Sequence, residues 1–103
     1  MSGEKKKKTQ EMIYIVFAKV PQSDIDSEGF KEWLKNRGEM LREDFKTKKV
    51  FIHVLGLTTY LISQRVSTEE IDNVGFGRWF GLRRRELADY FDVVPGNVFI
   101  KAV

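Results

Sequence analysis

The fold of this chain depends on its last seven residues, 97–103, which read NVFIKAV. The run is rich in β-branched and aromatic residues and has the length of a strand. As a strand it completes the order strand, helix, strand, strand, helix, strand. As a helix it would instead leave the protein ending in a helix-turn-helix. The composition of the run favours the strand.

Three stretches upstream also have the composition of strands. Residues 12–20, MIYIVFAKV, are apolar on both alternating faces, which is typical of a central strand. Residues 50–57, VFIHVLGL, and 59–66, TYLISQRV, are separated by a short break at Gly56 to Thr58. This spacing predicts an antiparallel hairpin.

Two helical regions connect these strands. Residues 27–46 place apolar side chains at helical spacing, which predicts an amphipathic helix: Phe30, Trp33, Leu34, Leu41 and Phe45. A second helix is predicted to begin at Ser67, which lies at capping-box spacing from Glu70. Three glycines then occur within residues 75–81, GFGRWFG, so we expect a short helix, a loop and a longer helix over residues 82–91.

This order of elements predicts an α+β fold. Specifically, it predicts a ferredoxin-like βαββαβ sandwich, in which a four-stranded antiparallel sheet carries two helices on one face and leaves the other open. One domain is expected for a chain of 103 residues, formed by residues 11–103. Residues 1–10 are polar and lysine-rich, and they predict a flexible basic tail.

The alternative is a small α/β sheet followed by a C-terminal helix-turn-helix. Residues 84–103 contain Glu86-Leu87-Ala88, Phe91, Val93 and Pro95-Gly96-Asn97-Val98. In these residues the segment resembles the helix-turn-helix segments of bacterial transcription regulators, and the resemblance implies contact with DNA. The chain departs from that pattern at Asp92, where glycine is usual, and at Lys101 and Ala102, where an apolar pair is usual.

The charge distribution limits any interpretation based on the basic pI of about 9.2. The first ten residues contain four lysines and Glu4, and these account for the +3 net charge of the whole chain. The remaining residues have no net charge, so a basic surface on the folded body requires local clustering. Nucleic-acid contact is therefore predicted for the tail lysines and for one arginine cluster: Lys5, Lys6, Lys7, Lys8, Arg78, Arg83, Arg84 and Arg85.

Aromatic side chains form the second set of candidate residues. Tyr14 and Tyr60 are predicted on the open face of the sheet, where they would stack on bases or form an interface. The segment Ile13-Tyr14-Ile15-Val16 resembles the first strand of RNA-recognition motifs, although the third strand lacks the expected Lys/Arg-Gly-Phe run. Trp79, together with Phe76 and Phe80, is a candidate for core packing or for a partner-binding patch.

The sequence offers no signature of catalysis. Cysteine is absent, which excludes disulfides, thiolate nucleophiles and cysteine-based zinc sites. No apolar run reaches the roughly 18 to 20 residues that a membrane span needs. We expect a cytoplasmic, non-enzymatic protein without cofactor or metal that binds DNA or RNA. The alternative is a protein-interaction or assembly module, such as a homodimer, with the sheet face or an aromatic patch as its interface.

Overall fold

A computed structural model describes residues 8–103, which form an α+β structure of four strands and four helices. In chain order the elements are β1 (Thr9–Ala18), α1 (Gln22–Glu28), α2 (Phe30–Asp44), β2 (Val50–Leu55), β3 (Leu57–Ser67), α3 (Thr68–Val74), α4 (Phe76–Phe91), a single 3-10 turn (Pro95–Asn97) and β4 (Val98–Ala102).

The C-terminal residues form a strand, as their composition predicts. β4 pairs antiparallel with β1, so that Phe99 lies opposite Ile15 and Lys101 opposite Ile13. Val98, at the start of β4, is fully buried. The alternative of a C-terminal helix-turn-helix is therefore wrong, because residues 98–102 obtain their backbone hydrogen bonds from a neighbouring strand.

The four strands form an antiparallel sheet in the order β2-β3-β1-β4. The predicted hairpin joins β2 to β3 through Gly56, with Leu55 opposite Leu57. β1 begins earlier than expected, because Thr9 and Gln10 already pair with Ser67 and Val66 of β3. The predicted tail of residues 1–10 is thus two residues too long, and residues 1–7 lie outside the part of the chain described.

Residues 8–103 form four helices instead of the two expected in the sandwich. α1 lies almost entirely before the predicted helix of residues 27–46, whereas a division of the second region into a short and a longer helix was expected. Gly29 separates α1 from α2 with φ 88°, and Gly75 separates α3 from α4 with φ 93°. The loop predicted within residues 75–81 is limited to Gly75, since Gly77 and Gly81 lie inside α4. Within residues 8–103 no helix combines the length and hydrophobicity needed to cross a bilayer.

The core lies between the helices and one face of the sheet. Met12, Tyr14 and Val16 of β1 are fully buried there and belong to one cluster with Leu41 of α2 and Leu87 of α4. Burying each apolar side chain of this size contributes about 1.5–3 kcal/mol to stability. Successive strand residues point to opposite faces, so the burial of these three positions assigns the alternate residues of β1 to the other face.

The start of α3 differs in detail from the predicted capping box. Ser67 is the N-cap residue, but its side chain makes no capping hydrogen bond. Glu70 instead accepts a hydrogen bond from Trp79 Nε1 at 2.8 Å. This bond joins α3 to α4 across the break at Gly75.

Candidate functional site

The face of the sheet opposite the core carries a continuous apolar row across all four strands. We call this side of the sheet the open face. Phe51 of β2 lies opposite Leu61 of β3, Leu61 opposite Ile15 of β1, and Ile15 opposite Phe99 of β4. Phe17 extends the row, with its ring 5.8 Å from that of Phe99. Directly opposed apolar side chains of this kind stabilise a sheet, but they leave their outer surfaces accessible.

The accessible area of the row is large for a chain of this size. Phe51 and Phe99 are 69% and 50% exposed. Taking about 200 Å² for a fully exposed aromatic side chain, these two contribute about 240 Å². Leu55 and Leu57, which are 80% and 43% exposed, add to the row at the hairpin. The patch therefore falls within the about 300–600 Å² of the largest apolar patches on monomeric proteins, which often mark interaction sites.

Charged residues lie at one end of the open face. Glu11 of β1 lies opposite Arg65 of β3, and Glu11 Oε1 also lies 3.0 Å from Lys49 Nζ. The hydrogen bond and charge of Lys49 hold the pKa of Glu11 below its usual value. Lys101 is exposed on β4 of the same face. The open face thus combines an apolar centre with a charged end, as interfaces commonly do.

Sequence reasoning missed Phe51, Leu61, Ile15 and Phe99 as a set. A usable signal was present, because a hairpin turn at Gly56 fixes the register of β2 on β3 and places Phe51 beside Leu61. The register of β1 between β3 and β4 had no comparable signal. The apolar row across all four strands therefore could not be predicted from the sequence alone.

Arg83, predicted to contact nucleic acid, lies within the folded body. Its Nη2 donates to Gln64 Oε1 at 3.0 Å, and its Nε donates to the Tyr14 hydroxyl at 3.3 Å. Its guanidinium also lies over the rings of Tyr14 and Phe45, at 5.3 and 5.9 Å from their centroids. These contacts hold the charge of Arg83 against the core.

Arg84 also makes hydrogen bonds within the fold, although its side chain is exposed. Its Nε lies 3.0 Å from both the Pro95 and the Val98 carbonyl oxygens, and it thereby joins α4 to the start of β4. Arg78 and Arg85 are exposed on α4 and form no ion pair with another residue in the described part of the chain. The predicted cluster of four arginines therefore separates into two with structural contacts and two at the surface.

Of the four tail lysines, the structure describes only Lys8. Lys5, Lys6 and Lys7 lie outside the described residues. Lys8 is exposed, and its carbonyl oxygen accepts hydrogen bonds from the backbone N–H and the hydroxyl of Thr68, at 3.0 and 3.2 Å. The backbone of Lys8 thus lies next to the first turn of α3, directly before β1.

The aromatic residues predicted on the open face lie on the covered face instead. Tyr14 is 0% exposed and Tyr60 is 2% exposed, both beneath the helices, so neither can stack on a base. The cause is that β1 is apolar on both faces, so alternation could not show which residues face the core. Trp79 is 5% exposed and packs in the core, so it offers no exposed patch.

Comparison of the chain with protein-family models, with curated proteins and with solved structures finds no match. The function must therefore be inferred from the geometry of the chain itself. The class that this geometry defines is a small α+β protein with one covered and one open apolar sheet face.

Proposed function

We propose that this protein is a non-enzymatic assembly module that forms a homodimer through the open face of its sheet. The observation that carries the proposal is the apolar row Phe51, Leu61, Ile15 and Phe99. Burial of this row removes apolar surface from water, which is the main favourable contribution to protein association. The two faces would pack as aligned sheets about 10 Å apart.

The row is suited to a second copy of the same chain. A two-fold axis parallel to the strands, passing between β1 and β3, exchanges the positions of these two strands and those of β2 and β4. Ile15 of one copy then packs on Leu61 of the other, and Phe51 packs on Phe99. The same axis places Glu11 over Arg65 of the second copy, because these residues are cross-strand neighbours. The apolar row and the Glu11–Arg65 pair are thus complementary to their own copies across the axis, as a two-fold interface requires.

The size of the face is also adequate. Strands about 4.8 Å apart give a four-stranded face about 19 Å wide, and about six residues of strand give it a length of about 20 Å. Its flat area is about 400 Å² before the relief of the side chains is added. Two copies would therefore bury about 800 Å² of flat area, and the relief of the exposed side chains adds to this toward the about 1,200 Å² in total at which stable interfaces begin.

Replacing Phe51 with glutamate is expected to weaken the dimer at least about 30-fold, because a buried aromatic anchor of an interface contributes about 2 kcal/mol or more. Sedimentation velocity over a range of protein concentrations measures this change. Val94→Glu is the matched control, since Val94 is 63% exposed but lies outside the sheet. A wild-type chain that stays monomeric at every concentration, or equal effects of both variants, would contradict the proposal.

The orientation of the dimer gives a further expected result. The proposed axis brings Lys101 over Lys49 of the second copy, since both occupy one row at opposite edges of the sheet. The two-fold axis creates this contact twice, so Lys101→Glu should tighten the dimer by up to about fivefold for each exposed ion pair, or about 25-fold in total. Weaker association of Lys101→Glu would show that the two copies pack with another axis.

We also propose that the fold is ferredoxin-like. The sheet order β2-β3-β1-β4 supports this, as does the alternation of strands with helical segments along the chain. Each helical segment would then correspond to one helix of that fold, broken by a glycine. The open face of the proposed dimer is the sheet face that this architecture leaves without helices.

Nucleic-acid binding is the second candidate function, favoured by the exposed Arg78 and Arg85 on α4. They are seven residues apart, so they lie on one side of the helix about two turns from each other. Removing one cation that neutralises a phosphate reduces the salt dependence of log K by about 0.9 for duplex DNA. The double variant Arg78→Ala with Arg85→Ala should therefore lower that slope by about two.

The matched control for this experiment is Lys31→Ala with Lys35→Ala, two exposed cations on α2. Titrations with duplex DNA, single-stranded DNA and RNA at low salt compare the two double variants. Absence of binding to all three would reject this function. Equal losses in both double variants would assign the binding to net charge alone.

A further inference from the structure

A polar cleft of about 460 Å³ lies where the C-terminal ends of α2 and α4 meet the end of β1. Its volume falls within the range of about 300–1,000 Å³ that is usual for small-molecule sites. It is separate from the open face, because Tyr60 of β3 lines it from the covered side of the sheet. Its walls include the aromatic residues Tyr60, Tyr90 and Phe91 and the acidic residues Asp24, Asp44 and Asp92.

The Tyr60 hydroxyl is a buried polar group without a partner in the described part of the chain. Tyr60 is only 2% exposed, and its hydroxyl makes no hydrogen bond with any of residues 8–103. Its ring is fixed by Phe91, with the two centroids 4.7 Å apart. A buried hydroxyl without a hydrogen bond is costly, and most buried hydroxyls in proteins are paired.

The side chain of Tyr60 forms part of the cleft wall. Burial raises the pKa of Tyr60, and the charge of Arg37 opposes this rise. Burial, the Asp44 carboxylate and, more weakly, Tyr60 raise the pKa of Tyr90 to about 12. Tyr60 therefore interacts electrostatically with Arg37 and Tyr90, and both of these residues line the cleft.

The charges around the cleft favour a cation. Asp24, Asp44 and Asp92 line it, and none of them forms an ion pair within residues 8–103. α2 ends at Asp44 and α4 ends one residue before Asp92, so the partial negative charges of two helix C-termini add to the carboxylates. Two cations also line the cleft: Lys19, and Arg37, whose guanidinium lies over the ring of Trp33, 5.5 Å from its centroid. The three carboxylates exceed these two cations by one negative charge.

We propose that this cleft binds a small organic cation through its ammonium group. The ammonium would donate to the unpaired Tyr60 hydroxyl oxygen and to the Asp44 carboxylate, whose Oδ2 also accepts a hydrogen bond from the Tyr90 hydroxyl. The rings of Tyr60, Tyr90 and Phe91 supply an aromatic wall that attracts a cation and packs on its apolar body. A metal ion fits less well, since no group of three or more acidic or histidine side chains in residues 8–103 is placed to hold one.

Benzylammonium and benzoate are a matched pair of probes, because they have similar shape and opposite charge. Titration of the ¹⁵N-labelled protein should give saturable shift changes at the residues lining the cleft with benzylammonium and none with benzoate. Tyr60→Phe and Asp44→Asn should each weaken binding roughly tenfold, as expected for the loss of a hydrogen bond to a charged group. Asp72→Asn, an exposed acidic position on α3, should leave the affinity unchanged.

Thermal unfolding of the free protein separates this proposal from a structural role of the hydroxyl. Without a partner, the hydroxyl contributes nothing to stability, so Tyr60→Phe should leave the melting temperature unchanged or raise it. A lower melting temperature of Tyr60→Phe would indicate a hydroxyl already satisfied by trapped water, which overturns the proposal. Absence of saturable shifts with benzylammonium, equal binding of benzoate, or an equal loss of affinity in Asp72→Asn would also overturn it. The test does not depend on the proposed dimer.

Discussion

Replacing Arg83 with alanine is expected to lower the free energy of unfolding by about 2–3 kcal/mol. The substitution removes hydrogen bonds to Gln64 and Tyr14 and the packing of the guanidinium over two aromatic rings. Hydrogen bonds to charged groups contribute about 1.5–3 kcal/mol, and a partly desolvated cation–π contact adds about 1 kcal/mol. The expected loss is smaller than the sum of these contributions, because the Tyr14 hydroxyl still donates a hydrogen bond to Gln64 in the variant.

This loss of stability corresponds to a melting temperature about 10–20 °C lower for a chain of this length. Urea and thermal unfolding followed by circular dichroism measure it. Arg83→Lys should recover only part of the loss, since an ammonium cannot make both hydrogen bonds and also lie flat over the rings. Arg83 also lowers the pKa of Tyr14 against the larger effect of burial, so its removal should raise that pKa further.

Arg85→Ala is the control for this prediction. Arg85 is two residues away on α4 and exposed, so its removal should change the free energy of unfolding by at most about 0.5 kcal/mol. Equal effects of the two substitutions would mean that Arg83 has no special structural contact. The contrast matters for function, because any loss of nucleic-acid binding in Arg83→Ala would have to be corrected for the reduced stability.

The positions of the strands along the chain could be predicted from local composition. Residues 97–103 are rich in residues that favour strands, and the structure places β4 at Val98–Ala102. The hairpin at Gly56 was likewise visible, because a short break containing a glycine between two apolar runs permits a tight reversal. In the structure Gly56 has φ 76°. These features depend on a few neighbouring residues, and for that reason a single sequence contains them.

The faces of the sheet could not be predicted in the same way. Residues 12–18 are apolar at nearly every position, so Tyr14 and Ile15 were equivalent in the sequence although one is buried under helices and the other lies on the open face. The role of Arg83 was also hidden, since its partners Tyr14 and Gln64 are 69 and 19 residues away along the chain. Burial and long-range pairing are properties of the packed molecule.

The breaks in the helical regions lead to the second large prediction. Gly75 ends α3 and begins α4: its N–H donates to the Ile71 carbonyl, and its own carbonyl accepts from the Trp79 N–H, both at 2.8 Å. Gly29 has the same arrangement between α1 and α2, with the Ile25 carbonyl and the Trp33 N–H as partners. Both glycines combine a φ near 90° with a ψ near 140°, a backbone conformation that L-residues with a Cβ rarely adopt.

Gly75→Ala is therefore expected to destabilise the protein by about 1–3 kcal/mol through backbone strain alone. A Cβ at Gly75 would meet no atom within 4 Å, so steric overlap with neighbouring residues does not contribute. Gly81→Ala is the matched control, because Gly81 is equally free of neighbours but has helical backbone inside α4. It should stabilise the protein by about 0.5–1 kcal/mol, the gain in helix propensity from glycine to alanine.

The two glycine substitutions thus have opposite expected signs, and the difference between them is about 1.5–4 kcal/mol. Urea unfolding of both variants and the wild type measures this difference. If Gly75→Ala stabilised the protein as Gly81→Ala does, α3 and α4 would have to form one continuous helix in solution. Trp79 would then leave its hydrogen bond to Glu70, since that bond depends on the change of direction at Gly75. Tryptophan fluorescence of Gly75→Ala would report the rearrangement, and an unchanged spectrum together with the expected loss of stability would confirm that Gly75 holds the two helices apart.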